Sequence, residues 1–216
     1  MMAVIGLVNV SGFIHAWEAK WYDGLISVIT FVATLGFAPH LDRGIMVGVV
    51  LSLLVFLYKS MRPGVTTLAR YEDQSLRDCT TFGLKECEYI AMIRFEGPLF
   101  FANASYLEDK IMERMGTKKD LKHIILVSNG INDIDASGEE TLSLLVDRVR
   151  SAGLDISLSG VNETVLTVLK STHFLERIGE DHVYPTMEMA INAIYTSTHR
   201  EGKEEVCPLM TVCRLV

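Results

Sequence analysis

The chain has 216 residues and carries 27 acidic against 20 basic side chains, a net charge of −7 at neutral pH, yet its mean hydropathy is positive, +0.27. The acidic balance argues against a nucleic-acid partner, because phosphate backbones are held by Lys/Arg patches. Residues 1–70 hold five basic and three acidic side chains, a charge of +2, which leaves −9 for residues 71–216. A greasy, slightly basic front is therefore joined to an acidic, water-soluble back, the size of one domain with an appendage.

In the front, Met1 to Ile14 is apolar and uncharged but too short to cross a bilayer alone, since a spanning helix needs about 20 residues. It starts abruptly, like the tail of a longer helix. Two further uncharged runs follow, Leu25–Pro39 and Gly44–Tyr58. Trp17, Trp21 and Tyr22 precede the first run and Tyr58 closes the second, as interfacial aromatics do. His40-Leu41-Asp42-Arg43 makes a tight polar connection. The expectation is a membrane hairpin of helices at about 24–39 and 44–60, within a membrane segment 1–63 that begins with a partial helix 1–14. Lys20 lies before the hairpin and Lys59, Arg62 and Arg70 after it, which puts both ends in the cytoplasm. Gly44, Gly48 and Ser52 recur every four residues and form a small-residue stripe suited to close helix packing. Neither run contains an ionisable residue of the kind that marks an ion path.

Arg62-Pro63-Gly64 stops the last of these helices. Residues 64–88 are mixed and polar and read as linker. Tyr89–Phe95 is strand-like, Gly97-Pro98 is a turn, and Leu99-Phe100-Phe101 reads as a second strand of a hairpin. Ser105-Tyr106-Leu107-Glu108 looks like a capping box for a helix with Leu107, Ile111 and Met115 on one face. His123–Ser128 is an apolar run that fits a strand buried on both faces. A strand-to-helix loop follows, with Ser137 where the helix 138–152 should begin, and Leu142, Leu145, Val146 and Val149 form the apolar stripe of that helix. Ser137 with Glu140 reads as that helix's capping box. Gly153 ends it. Leu154, Ile156 and Leu158 alternate with polar residues in a half-exposed strand, Asn162 caps a helix bearing Val165 and Leu169, Val183-Tyr184 is a minimal strand, and Thr186 opens a helix with Ala190 and Ile194. The order ββαβαβαβα implies a mixed sheet with packed helices over residues 89–197, large enough to fold alone. Residues 198–216 stay unassigned.

Two motifs in this back half carry a resemblance. Ile134-Asp135-Ala136-Ser137-Gly138 resembles the central loop of the STAS domain, the fold shared by anti-sigma-factor antagonists and by the cytoplasmic tails of SulP-type anion permeases. In the antagonists the serine before the glycine is phosphorylated. Phe95-Glu96-Gly97-Pro98-Leu99-Phe100-Phe101-Ala102-Asn103-Ala104 resembles the opening of the permease-type domain, and Gly179–Thr186 resembles its last strand and final helix. Gly44–Tyr58 with Arg62-Pro63 is similar to the last membrane helix of a SulP permease. The resemblance implies an α/β STAS-like domain preceded by transmembrane helices, and the carboxyl-terminal part of a sulfate-type secondary anion transporter, with the anion site far upstream and no substrate-binding residue in this stretch. The implied partners are membrane lipid, the remaining transporter helices or a second protomer, and a cytosolic regulator. The alternative is a membrane-tethered STAS signalling module that binds a partner through the Ser137 loop.

Ser137, Asp135, Gly138 and Asp133 are the candidate regulatory loop, and Gly44, Gly48 and Ser52 the candidate helix-packing face. Asp133 and Asp135 alternate at a strand end and should point apart, which disfavours a shared metal. The ring of Asp133, Asp135, Glu139 and Glu140 would repel a phosphate on Ser137. Cys79, Cys87, Cys207 and Cys213 form no C-x-x-C pair and have no histidine at ligand spacing, so reduced thiols without metal are expected. No nucleophile motif or Gly-rich phosphate loop is present. No enzyme activity and no cofactor are expected.

Overall fold

The computed structural model describes residues 10–73, 75–200 and 207–209. The chain divides into two compact units, Met1–Lys59 and Ser60–Val216.

The first unit contains α1 (Val10–Ala19), α2 (Trp21–Gly36) and most of α3 (Leu41–Ser60). The partial helix expected at 1–14 lies largely outside the described residues. Helix α3 is long and apolar enough to cross a membrane, whereas α2 is apolar but shorter. Gly44 and Gly48 are buried. A Cβ at Gly44 would collide with Thr34, and one at Gly48 would come within 2.5 Å of the Thr30 side chain. These two glycines thus bring α3 against α2, and the α2 hydroxyls turn inward, with Thr30 and Thr34 donating to the carbonyls of Ile26 and Thr30 (both 2.8 Å). Ser52, the third member of the stripe, is exposed. At the other end of the hairpin the Lys59 ammonium lies 4.0 Å from the centre of the Tyr22 ring, a cation–π contact.

The second unit is a six-stranded sheet of order β2-β1-β3-β4-β5-β6. Its strands are β1 (Gly64–Arg70), β2 (Leu76–Asp78), β3 (Ile90–Glu96), β4 (His123–Val127), β5 (Asp155–Ser159) and β6 (Val183–Tyr184). β1 runs antiparallel to both neighbours, and β3 to β6 are parallel. Connecting them are α4 (Cys79–Phe82), α5 (Ala104–Thr117), α6 (Ala136–Ser151), α7 (Glu163–Ser171), α8 (Phe174–Ile178) and α9 (Met187–His199). Strand residues alternate between two cores, as period-two geometry requires. Ala91, Ile93, Phe95, Ile124, Leu126, Ile156 and Leu158 face α5 to α8. Ile90, Met92, Ile125 and Val127 face α9, where Cys207 and Leu209 also pack.

Three expectations are corrected. Residues 64–88 are not linker: β1 takes five register positions beside β3, from Gly64↔Glu96 to Leu68↔Met92. Its Thr-rich sequence lacks a clean alternation, which hid it. Leu99-Phe100-Phe101 is not a hairpin strand; Leu99 makes a single parallel bridge to Ile134. The strand at 155–159 is not half-exposed, for Ser157 and Ser159 are buried. Their face is covered, and Ser157 Oγ lies 2.8 Å from His123 Nε2. Other expectations hold. Asn162 Oδ1 accepts the Val165 N–H (3.0 Å), Thr186 Oγ1 accepts that of Met189 (3.3 Å), and Gly153 takes a left-handed φ of 78° after α6.

His123 is 7 % exposed, and burial pushes its imidazole down to about 4 from the usual 6.5, with Asp155 opposing and His182 adding to the shift. The unfolded chain binds this proton near pH 6.5 and the folded chain refuses it until about pH 4. This contribution to stability is therefore complete above pH 6.5 and falls as pH drops towards 4, by about 2 kcal/mol between pH 7 and 5. Urea midpoints of residues 60–216 should show this loss, and the His123→Gln variant should show a shallower slope. A chain cut to residues 89–197 loses β1 and the 207–209 segment; it is expected to be less soluble and less stable than 60–216 in a side-by-side expression test.

Candidate functional site

The two motifs singled out in the sequence meet at the carboxyl ends of β3 and β4. The Gly97 N–H donates to the Gly130 carbonyl (3.0 Å), the Leu99 N–H to the Asp133 carbonyl (2.9 Å), and the Asp135 N–H to the Leu99 carbonyl (3.1 Å). Backbone pairs with backbone, so the two loops must approach closely. Gly130 and Gly138 permit it: a Cβ on the first would collide with the Phe95 carbonyl, and one on the second would lie 2.5 Å from the Leu99 carbonyl oxygen. Gly97 has φ 130°, a conformation that favours glycine.

Asp135, not Ser137, caps α6. Its Oδ1 accepts the Gly138 N–H (2.7 Å) and its Oδ2 accepts the Phe101 N–H (3.0 Å). One carboxylate thus satisfies a helix-end donor and joins both motifs. Asp lies among the best N-caps, and here its second oxygen has a partner that serine could not serve. The expected Ser137–Glu140 capping box is absent from this geometry. Ser137 sits inside the first turn of α6, exposed, with its carbonyl accepting from Thr141 Oγ1 (2.8 Å). Glu139 instead accepts from Ser143 Oγ (2.9 Å). Asp133 closes on its own loop, its Oδ1 accepting the Ile134 N–H (2.9 Å). The box expected at Ser105 is likewise replaced: α5 starts two residues earlier, with Asn103 in the cap position. Asn103 Oδ1 accepts from the Phe100 N–H (3.0 Å) and its amide donates to the Pro98 carbonyl (2.9 Å). Glu108 pairs with Arg148 of α6.

The loop presents a small, mixed surface. Phe101 is 70 % exposed, in edge contact with Phe100 at 5.6 Å between ring centres. In the other motif Asp133, Ser137 and Glu140 are exposed. A cleft of about 360 Å³ at the strand ends is lined by Arg94, Glu96, Gly97, Asn129 and Gly130. The arrangement offers one exposed hydroxyl, acidic groups and an aromatic ring.

Elsewhere the fold gathers Cys87, His199 and Cys207, a grouping that no short-range spacing announced. The Cys207 thiol is drawn down to about 5, chiefly by a hydrogen bond from Cys87, while that bond and then burial push Cys87 up. Burial pushes Cys79, in a separate small core with Leu84, up to about 12.

The sheet order, the stitched loops and the exposed serine define an α/β domain of the STAS type. The family model of the STAS domain matches residues 82–190, and the chain belongs to that family. Its similarity to curated proteins extends further. It is 28 % identical over 209 residues to Sulfate transporter 2.1 of Arabidopsis thaliana, covering 90 % of this chain and 30 % of that protein. It is 27 % identical over 201 residues to Probable sulfate transporter 4.2 of the same plant, covering 88 % and 29 %. The murine Slc26a9 anion transporter in its inward-facing state superposes with a TM-score of 0.74 at 21 % identity, over 88 % of this chain and 31 % of that one. The chain thus spans about a third of the length of the relatives it matches.

Replacing Asp135 by Ala orphans two N–H groups and should cost ~1–2 kcal/mol in chemical denaturation of residues 60–216. Ser137→Ala should stay within about 0.5 kcal/mol of the parent. Equal losses would return the capping role to Ser137.

Proposed function

We propose that this chain serves as the carboxyl-terminal part of a SulP-type inorganic anion transporter, with α2 and α3 in the membrane and the STAS domain on its cytoplasmic side as a regulatory, partner-binding lobe. The observation that carries the reading is continuity: similarity to proteins named sulfate transporters runs through both units rather than stopping at the STAS domain. The surface of the first unit supports it. Among the described residues, large exposed apolar side chains concentrate between Ile14 and Met61, with Phe82, Phe101, Met112, Leu144 and Met189 as the exceptions. Such a surface calls for lipid or further helices. A groove of about 900 Å³ along α2 and α3, lined by Ile26, Thr30, Phe31, Val49 and Phe56 among others, has the shape a neighbouring helix would fill.

In this reading the anion path is formed by other helices, because α2 and α3 carry charge only near their ends, at Asp23, Asp42, Arg43 and Lys59. The loop of Ser137, with Phe101 beside the same stitched motifs, is where a cytosolic regulator docks. Phosphate on Ser137 would enter a neighbourhood of Asp133, Asp135, Glu139 and Glu140, and the Gly138 N–H that a phosphate would seek is taken by Asp135. Recognition of the unmodified loop is the better fit.

The full chain is expected in the membrane fraction, resistant to carbonate extraction, and inactive in sulfate uptake when reconstituted alone. Uptake above that of empty vesicles would overturn the assignment of the ion path. Mass spectrometry of cell-purified protein is expected to show Ser137 unphosphorylated; stoichiometric phosphate there would replace docking by a covalent switch.

A further inference from the structure

We propose that Cys87, His199 and Cys207 form a binding site for a thiophilic divalent cation, zinc being the best match, which staples the segment around Cys207 to the sheet. Their ligand atoms lie within 4.8 Å of one another. Cys87 Sγ is 3.4 Å and Cys207 Sγ 3.2 Å from the same atom, His199 Nε2. Tetrahedral zinc with bonds of ~2.3 Å to sulfur and ~2.0 Å to nitrogen separates such ligands by about 3.6 Å. The three atoms therefore need to move only slightly to accept a metal between them.

The imidazole is set up as a ligand. His199 Nδ1 lies 3.0 Å from the Tyr195 carbonyl oxygen one helical turn back, and Thr198 Oγ1 lies 2.9 Å from the Ile194 carbonyl. An Nδ1–H donating to Tyr195 leaves the Nε2 lone pair aimed at the sulfurs. A backbone carbonyl on the far nitrogen is the usual way a metal-bound histidine is oriented. The ring is held by Tyr195, stacked at 4.0 Å, and by Tyr89, edge-on at 5.1 Å.

The sulfurs are equally fixed. Cys87 and Cys207 are 2 % and 6 % exposed, and the Ile90 N–H donates to Cys87 Sγ (3.3 Å). The loop before β3 is pinned from α5, where Lys118 Nζ donates to the Cys87 carbonyl (2.8 Å) and pairs with Glu86 (2.7 Å). Lys122 Nζ ties down the end of α9 through the Thr198 carbonyl (2.9 Å). Two thiolates and a neutral imidazole give a neutral zinc complex, which suits a site among Tyr89, Ile90 and Leu209. Two thiolates with an imidazole favour zinc over magnesium or calcium, which take oxygen ligands. Three protein ligands leave a fourth tetrahedral position for water or one further ligand.

The test uses the full reduced chain in detergent. After incubation with zinc and gel filtration, elemental analysis should find one zinc per chain. Cobalt in its place should give tetrahedral d–d bands with thiolate charge transfer. Cys87→Ser, Cys207→Ser and His199→Ala should each weaken cobalt binding at least about tenfold, while Cys79→Ser should not. In the unmodified chain, zinc should slow alkylation of Cys87 and Cys207 but not of Cys79, a readout that needs no variant to fold. No retained zinc and no cobalt bands, or bands that persist in both cysteine variants, would overturn the proposal. So would a Cys87–Cys207 disulfide whose reduction yields a chain that takes up no metal.

Discussion

Parallel strands impose burial on both faces, because the helices that reverse the chain pack back onto the sheet. In β4 all five residues, His123 to Val127, are buried, and the strand can exist only if both sides are roofed. One side is closed by α5 to α8 in chain order. Among the described residues, the other is covered by α9 together with Cys207 and Leu209, which pack over Ile90, Met92, Ile125 and Val127. On this covered face the polar His123 and Ser157 pair with each other instead of meeting water.

The same sheet sets the functional loop. Parallel strands point their carboxyl ends one way, so the loops after β3 and β4 are neighbours wherever the sequence places their motifs. What turns neighbours into one surface is backbone-to-backbone bonding of Gly97 with Gly130 and of Leu99 with Asp133 and Asp135, locked by the two oxygens of the Asp135 side chain. Rigidity below and exposure above, at Ser137 and Phe101, is the arrangement expected of a docking surface carried by a firm scaffold.

Much of this was legible in residue order. The buried run at 123–128, the stripe of α6, the caps at Asn162 and Thr186 and the two-residue strand at Val183 all have local causes, and local patterns revealed them. Ser137 misled because serine with Glu140 fits a capping box in isolation; Asp135 prevailed through a second bond to Phe101, 34 residues away. β1 escaped because Gly64-Val65-Thr66-Thr67-Leu68 lies between two cores and has no single apolar side. The Cys87–His199 contact spans 112 residues, a separation at which spacing rules have nothing to say.

The two margins of the sheet are its shortest strands, three residues in β2 and two in β6. Each stub offers little bare backbone of its own, and the longer strands inside them, β1 over residues 64–67 and β5 over residues 155–157, run past their short neighbours. The rim of the sheet is therefore set by how far each inner strand outruns its short neighbour, a feature of register rather than of side chains.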